Sequence, residues 1–130
     1  MGKRSTGRRL TIQILYQMEL SNASFEQACE AAFTNTDYIE ATRDFAAQYA
    51  EQVWALKAEI DPVIDKYSKG WKIERINVID KSILRLAVYE MLHVNELPKS
   101  VIIDEAVELA KKFSDPDAAK FINGILGNIE

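Results

Sequence analysis

Apolar residues recur at helical spacing along almost the whole chain, and only five glycines and three prolines interrupt its 130 residues. No alternating segment offers a strand, so the pattern reads as an all-α fold. A first helix is expected from about Thr6 to Leu20, with Leu10, Ile14, Leu15 and Met18 on one stripe and Ile12, Tyr16 and Leu20 on its neighbour. Ser24, followed three residues later by Gln27, is a capping-box signature for a second helix; Asp37 with Glu40 repeats it for a third. The stripe Ala46, Tyr49, Val53, Leu56, Ile60 carries the third helix to Asp61-Pro62, where Asp can cap and Pro can take the first turn of a fourth. Gly70 is placed to end that helix. Trp71 to Asn77 reads as a turn or short helix, and a buried helix follows with Ile79, Ile83, Leu84, Ala87, Met91 and Val94 on one face. Pro98 breaks the chain before a helix bearing Ile102, Ala106, Leu109 and Phe113. Asp115-Pro116 opens the last, with Ala118, Ile122, Ile125 and Ile129. The expected architecture is a compact bundle of about seven helices, arranged as two small subbundles sharing a core.

The length fits one domain, and 48% hydrophobic content suffices for a core. The single Cys29 cannot form an internal disulfide, which fits a cytoplasmic protein. No apolar stretch reaches the ~18 to 20 residues that span a bilayer, and the polar N-terminus lacks a signal peptide's apolar centre, so the reading is a soluble, non-exported chain without membrane contact. Catalysis fails on inventory. With one His and one Cys there is no four-ligand zinc site, and Glu90 with His93 supplies only one of the two Glu-x-x-His pairs a di-iron bundle needs. His93 therefore reads as a surface or helix-end residue. No nucleophile motif stands near it, and phosphate-binding glycine loops are absent. Asp104, Glu105 and Glu108 read as a solvated face favoured by a helix N-terminus, with Lys111 and Lys112 at the opposite end. No catalytic residue, metal ligand or cofactor is expected.

Binding chemistry remains, and charge points to it. Lys3, Arg4, Arg8 and Arg9 crowd the first nine residues without an acidic neighbour, while the whole chain carries -4. Without those four cations the rest holds 12 basic against 20 acidic side chains, a balance of -8. A short basic arm on an acidic body fits contact with a polyanion such as nucleic acid, or else a frayed, solvated terminus. Guanidinium groups pair with phosphate oxygens and stack on bases, and Arg4 and Arg8 stand one helical turn apart. Tyr16, Tyr67 and Phe121 are candidates for stacking on unpaired bases if exposed, and for the core if not. Lys66, Lys69, Lys72 and Arg75 recur every third residue, but Gly70 interrupts any single face, and the run reads as solvated surface.

Three segments then resemble one family. Arg8 with Gln13-Ile14-Leu15-Tyr16-Gln17, the run Asp80 to Glu90, and the stretch from Pro98 through Asp104 to Phe113 that closes on Lys120 to Leu126 are similar, in order and spacing, to the NusB family of transcription antitermination factors. The resemblance implies an all-helical fold of two three-helix-like subbundles and a non-catalytic bacterial RNA-binding factor. It implies pairing with a small-subunit ribosomal protein, NusE, to recognise boxA in nascent ribosomal RNA. Together with other Nus factors on RNA polymerase, such an assembly suppresses premature termination. By position, Lys3, Arg4 and Arg8, joined by Arg9, form the RNA-binding arm. Tyr67, Asp117, Lys120 and Phe121 continue the RNA surface, and Glu74, Asp80 and Arg85 meet the ribosomal protein. Ser5 and Thr6 stand where relatives often carry arginines, which implies weaker intrinsic RNA affinity. Asp104 replaces a usual Asn.

Two rival readings share the pattern. One is an RNA-docking module like the domain fused before ribosomal RNA cytosine methyltransferases; with little sequence after Leu126, no catalytic domain is expected here. The other is a structural homodimer without an RNA role.

Overall fold

Gly7 is the one weak helix former between Lys3 and Arg9, and the lysine and arginines around it propagate a helix well. The first helix, α1, accordingly runs Lys3–Ser21 and starts before its apolar stripe does. The computed structural model of the chain describes residues 3–34 and 38–129, with side chains from Ser5 onward. Its described residues form seven α-helices, one 3-10 turn and no strand, in two compact units, Met1–Ala55 and Leu56–Glu130.

The first unit holds α1, α2 (Phe25–Phe33) and α3 (Glu40–Ala55). Leu10, Ile12, Ile14, Leu15 and Met18 are buried, whereas Leu20, at the helix end, is exposed. The Ser24 box is complete: Gln27 N–H donates to Ser24 Oγ at 3.1 Å and Ser24 N–H to Gln27 Oε1 at 3.0 Å. Asp37, expected to cap α3, lies outside the described residues. α1 and α3 pack closely at Gly7, where an added Cβ would fall 2.3 Å from Phe45 Cδ1. That ring stacks on Tyr49 with centroids 4.3 Å apart. Thr11 resolves its own burial by donating to the Gly7 carbonyl at 2.9 Å.

In the second unit three helices, α4 (Lys57–Tyr67), α6 (Lys99–Phe113) and α7 (Pro116–Asn128), pack around α5 (Val78–His93), with the 3-10 turn Ile73–Arg75 between α4 and α5. Here the sequence misplaces a boundary. The helix break falls at Leu56, not at Asp61-Pro62, and Pro62 sits inside α4. The Leu56 carbonyl accepts both Glu59 N–H and Ile60 N–H, which closes the turn without a side-chain cap. Asp61 caps nothing; its two oxygens take Arg85 Nε and Nη2, each at 2.9 Å. Gly70 lies past the end of α4 in the left-handed region, φ 95°.

α5 is enclosed rather than one-faced. Every residue from Asp80 to Val88 is buried, polar ones included. Asn77 caps it: Asp80 N–H donates to Asn77 Oδ1, and Asn77 Nδ2 returns a bond to Asp80 Oδ2, both at 2.9 Å. α7 starts as its sequence dictates, with Asp115 Oδ1 accepting Ala118 N–H at 2.7 Å and Pro116 in the first turn. Lys99 Nζ closes its far end on the Gly127 and Ile129 carbonyls. Phe113, expected on the buried stripe of α6, is exposed where that helix ends.

Two consequences are measurable. Gly7→Ala improves helix propensity by about 1 kcal/mol, yet the clash with Phe45 outweighs it, so urea denaturation should show a net loss of about 1 kcal/mol. In a Phe45→Ala background the same change should turn neutral or stabilising. The second concerns Asp80, whose pKa is raised, by burial first and by Asp115 in addition, against hydrogen bonding from Ser114 and Asn77. A carboxyl whose folded pKa exceeds its unfolded value of about 3.9 is disfavoured once ionised. Stability is full below the unfolded pKa and is lost as pH rises through the folded one. Asp80→Asn should therefore gain stability relative to the parent chain as pH rises above the unfolded carboxyl's pKa of about 3.9; parallel stability curves would contradict this.

Candidate nucleic-acid interface

The end of α4 and the start of α7 bring together residues more than fifty positions apart in sequence. Tyr67 closes α4, and Lys69 and Gly70 both take positive φ, 51° and 95°, reversing the chain. Three bonds clamp the loop that follows. Trp71 N–H donates to the Ser68 carbonyl at 3.2 Å, Ser68 Oγ donates back to the Trp71 carbonyl, and Ile73 N–H donates to Asp65 Oδ1 at 2.8 Å. Trp71 stands out from this loop 56% exposed. Phe121 on α7 meets it edge-on, with ring centroids 6.3 Å apart and planes at 71°.

On one side of this aromatic pair lies an open groove of about 270 Å³, lined by Tyr67, Lys69, Trp71, Lys120, Phe121 and Asn128. Lys66 Nζ lies over the Tyr67 ring, 5.2 Å from its centroid. Among the described residues, neither Lys69 nor Lys120 is held in an ion pair. Their charges face solvent beside apolar ring surface, the combination that suits single-stranded nucleic acid. On the other side a second hollow, about 280 Å³, is walled by the same two rings and lined by Arg75, Asp80, Asp115 and Asp117. Asp80 Oδ1 is buried there without a hydrogen-bond partner.

The structure thus sorts the residues expected from sequence. Tyr67, Lys120 and Phe121 share the groove, whereas Asp117, expected with them, lines the acidic hollow. Arg8, expected to reach phosphate, is buried at 2% exposure, because the helix that begins at Lys3 has already turned it inward. Arg9 is half-buried; the side chains of Lys3 and Arg4 lie outside the described residues. Glu74 is exposed on the 3-10 turn. Arg85, expected at a partner surface, is buried and committed to Asp61, and Asp80 is 5% exposed, reaching only into its hollow. Sequence reasoning passed over Trp71 and read Lys69 as ordinary solvated surface. The available signal was Lys69-Gly70-Trp71, a glycine turn that presents its neighbours.

His93 is exposed at the end of α5 and pairs with Glu59 Oε1 at 2.6 Å. Among the described residues no three His, Cys, Asp or Glu side chains are grouped to hold a metal, and no helix is long and apolar enough to cross a membrane.

Known proteins show the same pattern across the chain. The NusB family model matches residues 5–130. The transcription antitermination protein NusB of Acetivibrio thermocellus is 41% identical over 129 residues, covering 99% of this chain and 88% of that protein. The solved structure of T. maritima NusB is 32% identical with a TM-score of 0.86, covering 99% of this chain and 90% of the other. A crystal structure of antitermination factors NusB and NusE in complex with double-stranded RNA shares the fold, with a TM-score of 0.88 at 23% identity over 98% of this chain and 95% of that one. With a family model spanning all but its first four residues and a relative this similar along nearly its full length, the chain belongs to the NusB family.

Proposed function

We propose that this chain is a non-catalytic, cytoplasmic transcription antitermination factor that binds boxA in nascent ribosomal RNA together with NusE and joins other Nus factors on RNA polymerase. Family membership and the name of the Acetivibrio relative support the role. The observation that carries the RNA contact is the groove, where Tyr67 and Lys69 from one end of α4 meet Lys120 and Phe121 from α7. In this reading the chain acts as one RNA-binding domain. Lys3, Arg4 and Arg9 of the basic arm add phosphate contacts, and Arg8, being buried, supports the helix that carries them.

The acidic hollow suits a basic protein better than RNA. Asp80, Asp115 and Asp117 line it and would repel phosphate and attract cationic side chains of NusE, with Glu74 exposed on the neighbouring 3-10 turn, while Arg85 serves that surface indirectly by holding Asp61. The carboxylates of that hollow, close to the groove, make a shared RNA surface with such a partner more favourable than binding by this chain alone.

The test is a titration of labelled single-stranded boxA RNA with and without NusE, across salt concentrations. Lys69→Ala with Lys120→Ala should weaken binding and reduce the slope of log K against log salt by about 1 to 1.5, the loss of two single-strand phosphate contacts. Arg4→Ala with Arg9→Ala should act in the same direction. Unchanged affinity and slope in both double variants would refute the assignment of these surfaces to RNA.

A further inference from the structure

We infer that Trp71 is the platform on which an unpaired RNA base stacks, and that its ring sets which side of the surface the strand follows. The inference rests on the RNA-binding reading above. A tryptophan more than half exposed leaves a large apolar ring in water, an arrangement that folding alone does not favour. Here the exposure is constructed. The left-handed pair Lys69 and Gly70 reverses the chain, and the bonds from Ser68 and Asp65 fix the loop on both sides of the ring. Phe121 meets Trp71 in a T-shaped contact and not in a face-to-face stack, and both rings line the groove.

Charge decides what that surface receives. On the groove side Lys69 and Lys120 can take the phosphates flanking a stacked base. On the other side of the same two rings stand Asp80, Asp115 and Asp117, which repel a phosphate backbone. A strand laid on Trp71 is therefore held to the groove side. Stacking needs a base free of its duplex neighbours, so the residue selects single-stranded over paired RNA. A protein ligand could also seat on an exposed tryptophan, but the cations beside it favour a polyanion.

Trp71 and Trp54 are the two tryptophans of the chain. In Trp54→Phe protein the emission of Trp71 alone should be quenched by single-stranded boxA RNA, with the midpoint measured independently by anisotropy of the labelled RNA. If that background folds poorly, the difference between the parent chain and Trp71→Phe gives the same signal. Trp71→Ala should lose about tenfold or more in affinity for single-stranded RNA, with Trp71→Phe recovering part of it and affinity for a duplex of the same sequence unchanged. Should Trp71→Ala unfold, the quenching and the Trp71→Phe titration still decide. RNA that binds without quenching, and equally well to the variants, overturns the role of Trp71 and leaves the RNA reading intact. A loss of NusE affinity with RNA affinity preserved overturns it in favour of a protein contact. If the parent chain binds no boxA RNA even with NusE, the proposed function fails and takes this inference with it.

Discussion

The paired bond between Arg85 and Asp61 holds the second unit to one arrangement. A helix enclosed as α5 is from Asp80 to Val88 is penalised for each polar group it leaves unpaired, as it does Asp80 Oδ1, and a buried guanidinium is among the most demanding. Two oxygens of one carboxylate meet it in the fork geometry that arginine prefers. The bond also fixes the register of α4 on α5, which matters because α4 is poor helix on its own account. It has no side-chain N-cap and carries a proline that removes one backbone donor. Tertiary contact, through the buried Ile60 and Ile64 and through Asp61, supplies what propensity does not. From α4 the constraint passes to Asp65, whose carboxylate fixes Ile73, and to Ser68, which fixes Trp71. The placement of the exposed aromatic thus depends on an ion pair made elsewhere on the same helix.

Much of the fold was readable because its signals are local. Ser24 with Gln27 and Asp115 with Pro116 state helix starts in chemistry that needs no tertiary context. The break at Leu56 has no such signal: Trp54-Ala55-Leu56-Lys57 holds neither glycine, proline nor a capping side chain, and the turn closes through one carbonyl shared by two donors. Pro62 misled for the same reason, since a proline after an aspartate looks like a helix start unless packing carries the helix through it. The burial of Arg8, Asp80 and Arg85 was equally hidden. Charged residues read as solvent-facing until a partner across space is known.

For the proposed site, the resemblance names Tyr67, Lys120 and Phe121, but not their convergence on one groove, because nothing in a sequence places the end of α4 beside the first turns of α7. Trp71 escaped notice for a sharper reason. The segment it opens, Trp71 to Asn77, reads from sequence only as a turn or short helix, which leaves the direction of its ring open. Here the positive φ angles of Lys69 and Gly70, with three hydrogen bonds behind them, keep it outside.

A chain of net charge -4 can still present a favourable surface to RNA, because at physiological salt the field of exposed charges is screened within about 8 Å. Distant carboxylates then count for little, and what a phosphate meets is the local balance. The two hollows divided by Trp71 and Phe121 have opposite balances: lysines line one, and aspartates outnumber the single arginine in the other. A wall of two aromatic rings keeps them apart with little polar surface of its own. The same wall therefore separates two polarities, ring surface with cations on one side and carboxylates on the other, which is what the proposed division between nucleic acid and a basic protein requires. Neither surface needs the whole molecule to be charged in its favour.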